Sequence, residues 1–282
     1  MSNHRVWVSV LTVLVLQITV LARKICVETV KHLRFYTRLP VPRLSYESDP
    51  YAPPDFSVSV RSLPLAAAII AMPSAIFIGW GAILGLSSAL TATLVVGISA
   101  LTTGAFHEDG LADTADSVGG GYSVEKRLII MRDSRIGTYG SVALIIIFLL
   151  KIFAIIALID TYGSLNAALT FMCAAIASRV AGILPHMFLA SARADGKSAD
   201  VKKPEPFSAL IALIVTVVFC FVSLHSFGAF KIICAFCMIA LLVFMLCLWS
   251  KRKIKGQTGD ILGAIQQVSE AAFCVVLSAN TY

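Results

Sequence analysis

The sequence predicts an all-α fold: a polytopic membrane helix bundle of about seven or eight spans, with its active-site loops at the cytoplasmic face. Three observations predict it. Of 282 residues, 58% are hydrophobic and 14% charged, whereas a soluble domain carries roughly 45–50% apolar and about 25% charged residues. Eight apolar segments approach the roughly 20 residues needed to cross the hydrocarbon core. Lastly, 19 of the 23 lysines and arginines fall in four loops that alternating spans place on one side, the cytoplasmic side by the positive-inside rule.

The first segment, 6–22, is short and contains Gln17 and Thr19. It reads as a span or as a membrane-surface helix. A cleaved leader is disfavoured, because no Ala-x-Ala precedes Arg23-Lys24. Residues 24–38 then set Ile25, Val27, Val30, Leu33 and Phe35 among basic residues, the pattern of an interfacial helix held by anionic lipid. Five prolines between Pro40 and Pro54 make the rest of this loop irregular.

Segments 63–85 and 87–105 are separated only by the break at Leu86–Ser88, so they form a hairpin. After the polar loop 106–140, segments 141–160 and 166–190 flank Thr161–Asn166. Segments 208–228 and 229–249 follow loop 191–207. The last span, 261–279, follows loop 250–260 and is amphipathic through Gln266, Gln267 and Glu270. Seven cysteines lie mostly inside apolar runs, and Cys234 and Cys237 lack the further ligands of a metal site. The net charge of +7 is a topological signal rather than a nucleic-acid footprint.

Acid is concentrated in "FHEDGLADTADSVGGGY", residues 106–122. Asp109, Asp113 and Asp116 are spaced four and three residues apart, which puts them on one face of a helix. Three charges at mid-bilayer would cost on the order of 8–10 kcal/mol, so these sit at a wet membrane end. Their repulsion falls if a divalent cation binds, and hard oxygen ligands suit Mg²⁺ or Mn²⁺. A solvated helix end is the plain alternative. His107 is a ligand, a base or a phosphate partner. Gly119, Gly120 and Gly121 permit a helix end and a close approach.

A second stretch, "MRDSRIGTYG" at 131–140, groups Arg132, Asp133 and Arg135. Guanidinium forks match phosphate oxygens, although such a cluster also occurs as a surface ion pair. The third, "GQTGDILGAIQQVSE" at 256–270, opens the last span with Asp260, where the helix dipole favours an acid. Glu270, Arg179 and Lys151 are ionisable residues within spans and are functional candidates for that reason. Arg179 is a candidate partner of Glu270.

"FYTRLPVP" (35–42), "FHEDGLADTADSVGGG" (106–121), "RLIIMRDSRIGTYG" (127–140) and "GQTGDILGAIQQVSE" (256–270) together resemble the motifs of the cobalamin-5'-phosphate synthase family, the adenosylcobinamide-GDP ribazoletransferases. Order and spacing agree from about residue 30 to the C-terminus. The resemblance implies an N-terminal apolar extension at 1–23 and a single integral membrane transferase domain at 24–282. It implies a bacterial inner-membrane enzyme of late cobalamin biosynthesis with its active site facing the cytoplasm. Its expected partners are adenosylcobinamide-GDP, α-ribazole or its 5'-phosphate, and the lipid bilayer, with no nucleic acid.

Mg²⁺ is the cofactor the resemblance implies. Asp109, Asp113 and Asp116 are then the metal ligands, not necessarily all three. Asp133 is a further ligand or the general base, His107 is the rival base, and Arg135 and Arg132 steady phosphates. Arg179, Asp260 and Glu270 are further substrate candidates.

Two other classes fit the pattern less well. A CDP-alcohol phosphotransferase also uses membrane-end aspartates, but its D-G-x-x-A-R motif is missing; this chain has Asp109-Gly-Leu-Ala-Asp113. A transporter would place its charges near the midplane, whereas these acids gather at one membrane face.

Overall fold

A computed structural model describes residues 2–193 and 202–279; Lys197, counted above among the loop cations, lies outside them. Among the described residues the fold is helical, with a single isolated bridge between Ser191 and Gln257. Eleven helices run in order: α1 Ser2–Tyr36, α2 Phe56–Ser59, α3 Leu63–Ile83, α4 Ser88–Thr103, α5 Phe106–Gly120, α6 Val124–Ile130, α7 Thr138–Ile183, α8 Pro185–Phe188, α9 Pro206–Ser223, α10 Ala229–Lys253 and α11 Gly259–Ser278.

Five helical stretches are long and apolar enough to cross a membrane: Phe56–Ile83, Thr138–Phe188, Pro206–Ser223, Ala229–Lys253 and Gly259–Ser278. A sixth arises if α4 and α5 are taken together, although they are bent by 93°. The bend has a local cause. Gly104 and Ala105 both adopt left-handed backbone, with φ 66° and 56°. Alanine resists that conformation at a cost of about 1–2 kcal/mol, so tertiary contacts must hold the turn.

The 51-residue stretch around α7 is not one rod. Gly163 has φ 79° and ψ 163°, which breaks the helix. Glu270 forms ion pairs with both Lys151, at 2.7 Å, and Arg179, at 3.7 Å. In a straight helix those two cations would stand roughly 40 Å apart. The chain therefore folds back at Gly163, and α7 is two antiparallel arms meeting at the break expected at 161–166.

Contacts sort the connections to two ends of the bundle. At one end Ser88 donates to Asp160 at 2.5 Å, Ser226 to Asn166 at 3.1 Å, and Lys231 to Tyr162 and the Ala279 carbonyl. At the other, Lys202 pairs with Asp55, Arg193 with Asp260, and the Arg38 amide donates to Thr102. The four polar loops thus share one end, as the charge pattern predicts.

The main core is built from small residues. Ala154, Ala167, Ala174, Ala175 and Cys173 bring the two α7 arms together and meet Ala92, Val95, Cys220 and Phe273. Without a hydrophobic drive in lipid, such close backbone approach supplies the packing energy.

A second core takes up part of the apolar stripe at 24–38. Residues 2–36 form one helix, and Leu33 and Tyr36 pack on Phe56, Val60, Leu63, Ile70 and Ile183. Glu28 pairs with Arg61 at 2.7 Å. Leu33 is buried there, while Ile25, Val27, Val30 and Phe35 are only partly covered. In the earlier part of α1, Leu14 to Leu21 remain exposed.

Candidate active site

The site is built where α5 crosses α11. The crossing is close because both helices present glycine. A Cβ on Gly110 would come within 2.9 Å of the Asp260 carbonyl and 3.3 Å of the Gly263 Cα. The two motifs at 106–121 and 256–270 are thereby joined backbone to backbone.

α5 carries the expected acidic face, but its members differ in state. Asp109 is exposed, Asp113 half-buried and Asp116 buried. The charges acting on Asp113 are those of Asp109, Asp260 and Asp116, opposed by Arg193. Arg193 pairs with Asp260 at 3.2 Å. So Asp260 belongs to the acidic face as well as to the start of α11, where Thr258 is the N-cap.

Asp116 has a different task from the one its spacing suggests. Its two oxygens accept the backbone N–H groups of Gly137, at 2.7 Å, and Gly140, at 2.8 Å. These are orphan donors at the start of α7, whose N-cap residue, Gly137, brings no side chain. Asp116 therefore caps α7 from a neighbouring helix, where the dipole favours a negative charge. The glycines of "RIGTYG" follow from this, since a Cβ at 137 or 140 would collide with the carboxylate. Gly119 likewise makes room for the Tyr139 ring rather than for a ligand.

Asp133 is not drawn into the acidic face. It sits at the surface in a forked pair with Arg135, closest contact 2.6 Å, and that guanidinium lowers its pKa to about 2. Arg132 is exposed beside it. The loop thus brings Arg132, Asp133 and Arg135 together without adding Asp133 to the carboxylates of α5.

Arg179 and Glu270, expected as substrate candidates, lie in a buried network, with Arg179 also lining a cavity. Lys151 donates to Glu270 and Gln267, each at 2.7 Å. Gln266 donates to Glu270 at 2.7 Å, and Gln267 donates to Glu108 at 3.1 Å. Two cations face two carboxylates, which satisfies the requirement that buried charges be paired. Glu108, Lys151, Gln266 and Gln267 thus form a supporting layer that the acidic spacing alone did not reveal. A count of charges within spans was the available signal: Lys151 and Arg179 against Glu270 leave one cation without an anion.

His107 is also buried, apart from the acidic face. It stacks on Tyr36, with ring centroids 5.4 Å apart and planes 20° from parallel, and its Nδ1 has no hydrogen-bond partner among the described residues. The two motifs at 35–42 and 106–121 meet here through Phe35, Tyr36, Phe106 and His107. A cavity opens between them, walled by these rings and Phe56, with Arg179 and Gln266 behind.

Among the described residues no three His, Cys, Asp or Glu side chains already stand close enough to hold a metal. Mg²⁺ does not demand such a cage; it takes one or two carboxylates, several waters and substrate phosphates. Asp109 and Asp113, unpaired with any cation at close range and repelled by Asp260, fit that mode of binding. Asp116 reaches it only with oxygens already hydrogen-bonded.

Comparison with known proteins matches residues 28–278 to the family model described as cobalamin-5-phosphate synthase. A protein of Azorhizobium caulinodans named adenosylcobinamide-GDP ribazoletransferase is 44% identical over 245 residues, covering 86% of this chain and 91% of that protein. One of Xanthobacter autotrophicus with the same name is 41% identical over 251 residues, covering 89% and 95%. One of Sinorhizobium, also so named, is 39% identical over 252 residues, covering 88% and 94%. No solved structure matches the chain.

Proposed function

The chain belongs to the cobalamin-5-phosphate synthase family, and we propose on that premise that it joins adenosylcobinamide-GDP to α-ribazole, or to its 5'-phosphate, releasing GMP. The ribose 3'-oxygen forms a bond to the phosphorus nearer the corrin. The bond from that phosphorus to the bridging oxygen breaks, GMP leaves with the electron pair, and the hydroxyl proton passes to a base. The observation that carries this reading is the acidic face of α5 and α11, held at the loop end of the bundle by Gly110 against Gly263.

Mg²⁺, when bound, would neutralise the diphosphate and the charge that develops on the leaving group. Asp109 and Asp113 would hold it, with Asp260 adjacent. Asp116 fixes the start of α7 and so the loop that carries Arg132 and Arg135. Those guanidiniums can meet phosphate from the loop side. Among the candidate bases, Asp133 is weak, because Arg135 holds it as a stable anion. His107 remains the rival base, with its Nδ1 unpartnered among the described residues but its ring buried apart from the acidic face.

The two arms of α7 count as two crossings and the bent α4–α5 pair as one, so we count seven crossings from α3 to α11. The loop cations support a cytoplasmic acidic end by the positive-inside rule, in keeping with a bacterial inner membrane. The deciding experiment gives purified protein adenosylcobinamide-GDP, α-ribazole and Mg²⁺ and measures GMP and cobalamin together. Equal yields of both are expected. GMP without cobalamin, or neither product, would overturn the assignment.

A further inference from the structure

The cavity between α1, α5, the second α7 arm and α11 is not explained by phosphate chemistry. Its walls are aromatic: Phe35, Tyr36, Phe56 and Phe106. Two of its lining residues carry a buried polar atom with no partner among the described residues, His107 Nδ1 and Arg179 Nε. Both side chains are more than nine-tenths buried, at 4% and 5% exposure. An orphan polar atom in such a place is destabilising, so a ligand that satisfies it gains affinity. Gly259 and Gly263 of α11 line the cavity, while Asp260, on the same turn, belongs to the acidic face.

Resting on the functional reading above, we propose that this cavity receives the planar heteroaromatic base of the acceptor nucleoside. Rings stack on such a base from every side, which suits an apolar bicycle. Its ring nitrogen, an acceptor, meets the Arg179 N–H, which can only donate. Guanine would bring several donors of its own, and neither Glu270 nor Glu108 lines the cavity to accept them. A corrin is too wide for a recess between four helices. With the base inserted, the attached ribose emerges beside Asp260, at the acidic face where its hydroxyl must attack. Leu262, half-buried on the cavity wall, then sets the size of base accepted.

The test uses full-length protein in nanodiscs carrying Leu262→Phe, which narrows the cavity, and Leu262→Ala, which widens it. The acceptors are α-ribazole and the riboside of benzimidazole without its two methyl groups. One or two methyl-sized changes in an apolar pocket are worth roughly 10–200-fold. Leu262→Phe should raise the KM for α-ribazole at least about tenfold on that scale, the unsubstituted riboside less, and the KM for adenosylcobinamide-GDP not at all. Leu262→Ala should shift preference the opposite way. Equal losses for both ribosides in both variants, or a changed donor KM, would overturn the proposal. If the wild-type protein forms no product, the functional reading falls by itself. Equilibrium dialysis of α-ribazole then decides the cavity: retention by wild type and not by Leu262→Phe supports it, and equal or absent retention overturns it.

Discussion

Asp113 and Asp116 have the same side chain on the same face of α5, yet their substitution by asparagine should have opposite signatures. Asp116 makes two charge-assisted bonds to the amides of Gly137 and Gly140. Such bonds contribute about 1.5–3 kcal/mol each. Asparagine keeps one acceptor oxygen and turns an N–H₂ toward the other amide, so one bond is lost and a buried donor is left unpaired. A destabilisation of about 2–4 kcal/mol follows. Asp113 has no such bonds and stands among like charges. Removing its charge should leave stability unchanged or raise it by about 0.5 kcal/mol.

Unfolding can be followed with a thiol-reactive dye, because Cys173, Cys220 and Cys274 are free and buried. At about 2–4 °C per kcal/mol, Asp116→Asn should lower the melting temperature by roughly 4–16 °C, and Asp113→Asn should leave it within about 2 °C. Turnover should fall at least about 100-fold in Asp113→Asn, beyond the usual cost of losing an outer partner of a metal ligand. Mg²⁺ at 100 times its Kd should stabilise the wild type by about 2.7 kcal/mol and Asp113→Asn by much less. Equal melting temperatures for the two variants would refute the capping role. A wild type unmoved by saturating Mg²⁺ would refute the cation site.

Four further outcomes follow. Glu270→Gln leaves Lys151 and Arg179 buried without their shared anion, and should cost about 3–5 kcal/mol, read as loss of folded protein on size exclusion. Ala105→Gly relieves a left-handed alanine and should raise the melting temperature by a few degrees, corresponding to about 1 kcal/mol. Asp133, with a pKa lowered to about 2 by Arg135, is ionised both folded and unfolded at neutral pH; its stabilising effect is lost only as pH falls through that range. Asp133→Asn should therefore leave the pH–rate profile between pH 6 and 9 unchanged in shape. An impermeant maleimide should reach Tyr122→Cys only from the cytoplasmic face and Leu84→Cys only from the opposite one, since both positions are exposed at opposite ends; the reverse result would invert the topology.

Much of this arrangement is legible in the sequence, and the remainder is hidden for physical reasons. Hydropathy and loop charge give the bundle and the shared loop end, because lipid imposes both on the chain directly. Aspartate spacing gives the acidic face, because α5 is helical over that stretch. Arg179 and Glu270 are a guessable pair, since charges in spans need partners. The capping by Asp116 is invisible because its partners are backbone amides, which carry no side-chain signature; only the glycines at 137 and 140 hint at it. Residues 24–38 carry an apolar stripe whose Leu33 is buried in protein while Ile25, Val27, Val30 and Phe35 stay partly exposed, a division the sequence pattern does not show. His107 likewise has the same sequence context at an acidic face as in an aromatic recess.

The bend between α4 and α5 explains how so much acid can be kept at a membrane protein's wall. Unbroken, a helix from residue 88 to 120 would run roughly 50 Å, against about 30 Å of hydrocarbon. Asp113 and Asp116 would then project into solvent, far from α11 and from any substrate held by the bundle. The left-handed pair at Gly104 and Ala105 turns α5 by 93° and lays it on α11 and α7. Its first turn then lies against the buried charges, where Gln267 anchors Glu108, and its last against the start of α7, where Asp116 is the cap. Both ends of α5 are tied by polar bonds that a slip of one residue would break. Asp109 and Asp113, between the ties, are left without bonds of their own. A fold that holds two carboxylates so firmly, with the nearby Arg193 already paired to Asp260, is arranged to receive positive charge.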